Sequence, residues 1–415
     1  MEKRLPLRNS LYKLEVPGLK LSQKPGHPQL PYKSFLVAGH PDDLDLEVTV
    51  IGEKTFNDLK TLPAPQKSCR CLKDLSFGTE SYPINENSYF QEDSEVVELK
   101  YLGDYRGQPI TKVVVRPMIQ KGNQLKVFKG LEVNLKSRQT LEVDAFTAQS
   151  QTMVLVTPKK LQSGAENFKA FKEGQGFTVD LYTFEDVATD ANSLKTFLHQ
   201  LYASQGYQYA VLFGHEGILP PLKVATSSDP QTPSDYPYFT MGGNGDVFPD
   251  VFYSRIVADS NDEVNNQIQK MREYQSQSWS NNSGAKNAIG IASNEGWDPN
   301  DVEYIGQMLD PLLNSLGFSK TTFFQDNANS NVNDINSAFN KGARWFNYIG
   351  HGSGNSWPSI TDGEYRSSDI KKLRPGAVKP VIIDVACQNG RFSYEGKLGE
   401  RFMNESYRGQ PTGAV

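Results

Sequence analysis

The sequence predicts an α/β domain over residues 148–415, with a mainly parallel sheet flanked by helices, preceded by an all-β domain over residues 1–147. Three observations carry that expectation. In the first region apolar and polar residues alternate with the period of a half-buried strand. From Gln151 onward, short apolar runs alternate with segments of helical period, the pattern of a parallel sheet with helices on both faces. Two of those runs, Ala343–Ile349 and Pro380–Ala386, each lead directly into a reactive side chain.

Composition removes several function classes. With 43 basic and 48 acidic residues the formal charge is −5, and nothing in the composition suggests a nucleic-acid partner. No run approaches the roughly 18 apolar residues of a membrane helix. The opening Met1-Glu-Lys-Arg-Leu-Pro lacks an apolar h-region, so a signal peptide is expected to be absent from the sequence as given, which does not assign the protein to the cytosol. Cys69 and Cys71 form a C-x-C pair without a second ligand cluster, and read as surface thiols or a local disulfide rather than a metal site.

In the first region, Leu44, Leu46, Val48 and Val50 alternate with polar neighbours, as do Leu131, Val133 and Leu135. Ile110–Val115 is a more apolar strand stopped by Arg116-Pro117. Turns at Pro17-Gly18, Lys24 to Pro28 and Lys121-Gly-Asn separate these segments, as expected of a β-sandwich or barrel-like module. Composition alone fits a carbohydrate-binding or adhesive domain.

The second region then reads in order. Thr152–Val156 is a strand, Lys159–Lys172 a helix ended by Gly174-Gln-Gly176, and Phe177–Tyr182 the next strand. Leu194, Phe197, Leu198, Leu201 and Tyr202 mark a helix stopped by Gly206, with His199 off its apolar stripe and expected to be solvated. Tyr209–Phe213 is a strand ending at Gly214-His215, so His215 is a rival base, although no cysteine lies on a neighbouring run. Loop carboxylates Asp235, Asp246 and Asp250 suit either a structural calcium ion or a solvated acidic loop. Val264, Ile268 and Met271 mark another helix, and Asn287–Ser293 a strand opening into the polar loop Asn294–Asp301. Asp301 stands where a helix cap belongs, ahead of Val302, Ile305, Met308 and Leu309; Pro311 is expected to kink that helix. A strand at Thr321–Phe324 and a helix carrying Val332, Ile335, Ala338 and Phe339 complete the series.

The organising stretch follows. One apolar run delivers Gly350-His351-Gly352-Ser353 and the other delivers Cys387-Gln388-Asn389-Gly390. Parallel neighbours would bring His351 and Cys387 to the carboxyl ends of their strands, where open α/β sheets bind ligands. A thiolate is the attacking species, and an adjacent imidazole removes the thiol proton and later protonates the leaving amine. Gly352 permits close backbone approach, and the N–H groups of Gly352 and Cys387 are candidate oxyanion donors. Trp357, just after the histidine loop, is a candidate wall of the substrate pocket or a cap on the core.

Strand, His-Gly, spacer, strand, Ala-Cys is the signature of the caspase-like clan of cysteine peptidases. Within it the chain resembles the gingipain family, through Asn347 to Ser353, Trp357, Asp384 to Gly390 and Phe392, with similarity from about Gln151 to the last residue. The resemblance implies a caspase-like fold and a secreted or cell-surface endopeptidase acting on proteins or peptides, with no required cofactor. It places Glu295 on the acid that orients the histidine. It places Asp301, or Asp298 if the shorter loop shifts the match, on the acid of a pocket selecting Arg or Lys. Arg255 matches a Gly-Arg element whose glycine is here Ser254. Pro25 to Pro31 resembles the opening of the family's propeptides, so the first domain is expected to bind the catalytic domain and hold it latent until cleavage between Lys136 and Gln151. The family continues beyond the position of Val415, so the catalytic domain is expected to be truncated here. Two alternatives stay open: a sortase-like transpeptidase of the same family, and an inactive surface or adhesive protein.

Overall fold

A computed structural model describes residues 6–7, 11–14, 16–22, 24, 26–64, 84–90, 95–137, 151–226, 229–243, 245–276, 282–295, 300–361, 363–374, 378–393 and 396–415. Cys69, Cys71, Asp298 and most of the expected cleavage segment lie outside these residues. The chain divides into two compact units: Met1–Cys69 with Asp74–Thr147 and Thr240–Asp250, and Arg70–Lys73 with Ala148–Phe239 and Val251–Val415.

The first unit is built mainly from antiparallel ladders. Pro31–Ala38 and Val97–Tyr105 flank Gln108–Val115, and the long strands Leu44–Phe56 and Gln124–Ser137 pair along nearly their whole length. Leu14, Leu30, Leu59, Met118 and Leu125 form a core. Two expectations change. The unit is not purely β, because it holds the short helix Glu86–Phe90 and a 3-10 turn at Pro41–Asp43. The alternating strand at Leu44 also buries little of its apolar face, since Val48, Val50 and Ile51 are exposed.

Residues 240–250 belong to this unit although they follow the first strands of the second in sequence. The Val247 N–H donates to the Leu102 carbonyl at 2.9 Å. Asp250 accepts from the Arg106 and Met241 N–H groups at 2.7 and 2.8 Å, and Asp246 accepts from those of Gly242 and Phe248 at 2.9 and 3.0 Å. These carboxylates therefore tie down backbone.

The second unit holds two four-stranded parallel sheets where the sequence suggested one. The first runs in the order Thr178–Thr183, Thr152–Thr157, Tyr209–Phe213, Phe252–Ile256. On one face, Leu161, Ala165, Phe168 and Phe171 join Val264 and Ile268 over Met153, Leu155, Val211 and Phe213. The helix Ala191–Gln205 ends as expected at Gly206, whose φ of 62° is the left-handed conformation glycine adopts at least cost. His199 departs from expectation: it is half-buried, its Nε2 has no hydrogen-bond partner, and burial lowers its pKa.

The second sheet runs Ser319–Phe324, Asn287–Ala292, Trp345–Ile349, Val381–Val385. Alternation along its strands feeds two cores. Ile289, Ile291, Phe346 and Tyr348 pack with Ile335 and Phe339 of the helix Val332–Lys341, while Ala288, Ala292 and Ile349 pack with Ile305 and Leu309 of the helix Asp301–Leu316. Helices thus cover both faces, which parallel sheets require because both faces are apolar. Among the described residues no helix is long and apolar enough to cross a membrane.

Candidate active site

Register brings the two reactive residues together. Trp345–Ile349 and Val381–Val385 pair in parallel, with Ile349 opposite Val385, and His351 and Cys387 are each the second residue beyond that pair. The Gly350 N–H still donates to the Val385 carbonyl at 3.3 Å. At Gly352 the loops meet: a Cβ there would overlap the Cys387 carbonyl oxygen and lie 2.9 Å from the Cys387 nitrogen. No residue but glycine fits this approach. Cys387 carries a thiol, partly accessible.

The His351 backbone is held on both sides. Its N–H donates to Ser359 Oγ at 3.1 Å, and its carbonyl accepts from the Tyr348 hydroxyl at 2.6 Å. Its Nε2 lies 3.0 and 2.9 Å from the two oxygens of Glu295, with the imidazole 13% and the carboxylate 41% exposed. Glu295 sits at the carboxyl end of the neighbouring strand, its N–H donating to Ser293 Oγ at 3.2 Å. The residues singled out as nucleophile, base and orienting acid thus occupy the carboxyl ends of adjoining strands.

Asp301 begins its helix, as a capping residue would, yet is only 4% exposed. Its carboxylate accepts from Ser293 Oγ, and its N–H donates to the Glu295 carbonyl at 3.0 Å. Asp301 is therefore joined directly to Glu295, the residue in contact with His351.

Trp357 does not line a pocket wall in this structure. It is fully buried, stacked 4.9 Å from Tyr348, 5.4 Å from Phe346 and 5.3 Å from Tyr365. An indole body suits an apolar core provided its N–H is satisfied, and Nε1 donates to Asp384 Oδ2 at 2.9 Å. The loop carboxylates considered for calcium are engaged with protein groups. Asp235 forms a bidentate pair with Arg255, 2.6 Å at each contact and nearly inaccessible, and Asp246 and Asp250 hold backbone N–H groups. Among the described residues no group of three or more His, Cys, Asp or Glu side chains is placed to hold a metal.

His215 is engaged elsewhere: Nε2 lies 3.1 Å from Asp259 Oδ1, and Nδ1 accepts from the Gly217 N–H. Its loop has a different importance. The Glu216 N–H donates to the Phe392 carbonyl at 2.9 Å, and the Arg255 guanidinium lies 4.7 Å from the Phe392 ring centre, so the first sheet's loops brace the segment after Cys387.

Sequence reasoning assigned no role to Asp384 or Asn389. A carboxylate inside an otherwise apolar strand was the available signal. Burial pushes the Asp384 carboxyl up to about 6, against the hydrogen bonds from Trp357 and Asn389.

The family model for peptidase family C25 matches residues 146–415. Gingipain R1 of Porphyromonas gingivalis is 27% identical over 444 residues, covering 96% of this chain and 43% of the relative. Gingipain R2 from the same organism is 27% identical, covering 96% of this chain and 58% of its own. The chain therefore spans about half the length of these relatives. Among solved structures, the Arg-specific cysteine proteinase gingipain R superposes with a TM-score of 0.58 at 26% identity, covering 64% of this chain and 61% of that one. The complex of the pro- and mature domains of the Porphyromonas gingivalis enzyme gives 0.57 at 28% identity, covering 64% and 62%. With its mixed α/β fold and parallel sheets, and a family match that takes in the whole second unit from Gln151 onward, this chain belongs to peptidase family C25.

Proposed function

We propose that this protein is a secreted or cell-surface cysteine endopeptidase of caspase-like architecture, produced as a zymogen. The observation that carries the reading is the His351–Glu295 contact on a loop packed against the Cys387 backbone. Glu295 accepts a hydrogen bond from the Nε2–H, which leaves the Nδ1 lone pair of a neutral imidazole to take the Cys387 proton. The thiolate attacks the scissile carbonyl carbon, and the carbonyl electron pair moves onto oxygen, received by the N–H groups of Gly352 and Cys387. Collapse of this intermediate breaks the C–N bond as His351 protonates the amine. Water, deprotonated by His351, then cleaves the thioester and returns the thiol.

The first domain is assigned the role of a propeptide, supported by the pro- and mature-domain complex of the relative. A preference for Arg or Lys before the cleaved bond is assigned to Asp301, supported by its place beside Glu295 and by the Arg specificity named for a similar structure. The deciding experiment is turnover of fluorogenic peptides varied only at that residue, after limited proteolysis, with Cys387→Ala as control. Turnover of Arg or Lys peptides abolished in the variant is expected. Turnover with another residue would discard the Asp301 assignment, and none by folded protein would discard the peptidase reading.

A further inference from the structure

We propose that Asn389 and Asp384 act as a positioning pair that locks the Cys387 turn onto the His351 loop, an inference that rests on the dyad reading above. Asn389 is 1% exposed and bonded on every side. Its Oδ1 accepts from the Gly354 N–H at 3.0 Å, which reaches into the histidine loop. Its Nδ2 donates to Asp384 Oδ2 at 3.1 Å, which reaches back to the cysteine strand. Its backbone N–H donates to the Cys387 carbonyl at 2.8 Å, and its carbonyl accepts from the Gly399 N–H at 3.3 Å. A side-chain amide joins an acceptor to a donor in one small group, and this junction needs both.

The restraint has something to oppose. The Cys387 to Asn389 bond closes a three-residue turn centred on Gln388, whose φ is 63°. Non-glycine residues rarely adopt that conformation, and surrounding structure has to maintain it. The carbonyl held by the turn is the one on which Gly352 packs. Release of Asn389 would therefore move the thiol relative to the imidazole, and a displacement near 1 Å costs roughly 10²-fold in rate. The Trp357 N–H in turn fixes Asp384, which accounts for a buried tryptophan beside the dyad. Asp384 Oδ1 is buried without a hydrogen-bond partner, so Oδ2 carries both bonds.

The test uses the full chain and three variants, with kcat and KM for peptide turnover from pH 5 to 9 and iodoacetamide labelling of Cys387 read by mass spectrometry of its peptide. Asn389→Ala should lower kcat about 10²-fold with KM changed little. Asn389→Asp keeps the acceptor but sets a carboxylate against Asp384. Two such groups cannot both ionise at that distance, so its activity should be recovered in acid and lost as pH rises. The exchange Asp384→Asn with Asn389→Asp again has one amide and one carboxylate, and should recover at least tenfold over Asn389→Asp at neutral pH. A merely structural role would show the same pattern only in the folded fraction, read by circular dichroism, and would leave kcat per folded molecule unchanged. A wild type that neither labels nor cleaves peptide sinks the dyad reading and this role with it. A wild type that does both while the Asn389 variants keep its kcat sinks the positioning role alone. If it labels without cleaving, the labelling rate replaces kcat, with the same order expected among the variants and the same equality overturning the proposal.

Discussion

Ile349 pairs with Val385 across the parallel ladder, so the histidine and cysteine loops leave the sheet in step. That register is sensitive to the residue between the loops. Gly352→Ala is expected to push the Cys387 carbonyl away and lower kcat by about 10²-fold while the fold survives, because only the two loop tips need move. Steady-state kinetics with a circular-dichroism check on folding would decide it. Unchanged kcat would show that the loops do not need this contact.

Glu295 and His351 make the next prediction. Glu295→Gln keeps the shape of the side chain and removes its charge, so the imidazolium loses its stabilising partner. A fall in kcat of about 10 to 10²-fold is expected, below the roughly 10⁴ seen when a fully buried orienting acid is neutralised, because this carboxylate is 41% exposed and water partly replaces it. KM should stay within a few-fold.

Asp384 makes stability depend on pH. Burial raises its carboxyl to about 6 in the folded protein, against an ordinary value of 3.8. The folded state therefore binds this proton more tightly than the unfolded chain does. The contribution is fully present below the ordinary value and is lost as pH rises through about 6, on the order of 3 kcal/mol in all. Asp384→Asn should flatten the slope of urea-unfolding free energy between pH 4 and 7. An identical slope in both proteins would contradict the burial account.

Arg255 and Asp235 form a nearly inaccessible bidentate pair under Phe392. Removing one partner leaves the other charge buried, so Asp235→Ala is expected to cost about 3–5 kcal/mol. Arg255→Lys should also weaken the pair, since an ammonium cannot reproduce the two parallel contacts. Chemical denaturation of both variants measures this, and a loss below 1 kcal/mol would show that the pair does not hold the sheet ends.

Trp357 separates packing from hydrogen bonding. Trp357→Phe retains most of the aromatic stack and deletes the donor to Asp384, for an expected loss of about 1–3 kcal/mol. Trp357→Ala should cost about 3–5 kcal/mol from the cavity. No loss in Trp357→Phe would mean that the hydrogen bond contributes nothing, and equal losses in the two variants would mean that the aromatic stack adds nothing beyond it.

Periodicity made the second unit legible in sequence. Tyr209–Phe213, Thr152–Thr157 and Asn287–Ala292 appear where apolar runs end at polar or glycine residues, and His351 and Cys387 stand out because each follows such a run directly. These are local signals, fixed by side-chain period and by turn residues within a few positions. Tertiary structure decided the rest. The split into two sheets, the burial of Trp357 and the pairing of Asp235 with Arg255 depend on residues 20 or more apart in the chain, as does the Asn389 contact with Gly354. A polar residue in sequence looks the same whether water, a backbone N–H or a buried guanidinium will be its partner. Only packing sets that choice, by removing water and leaving one partner within hydrogen-bonding reach.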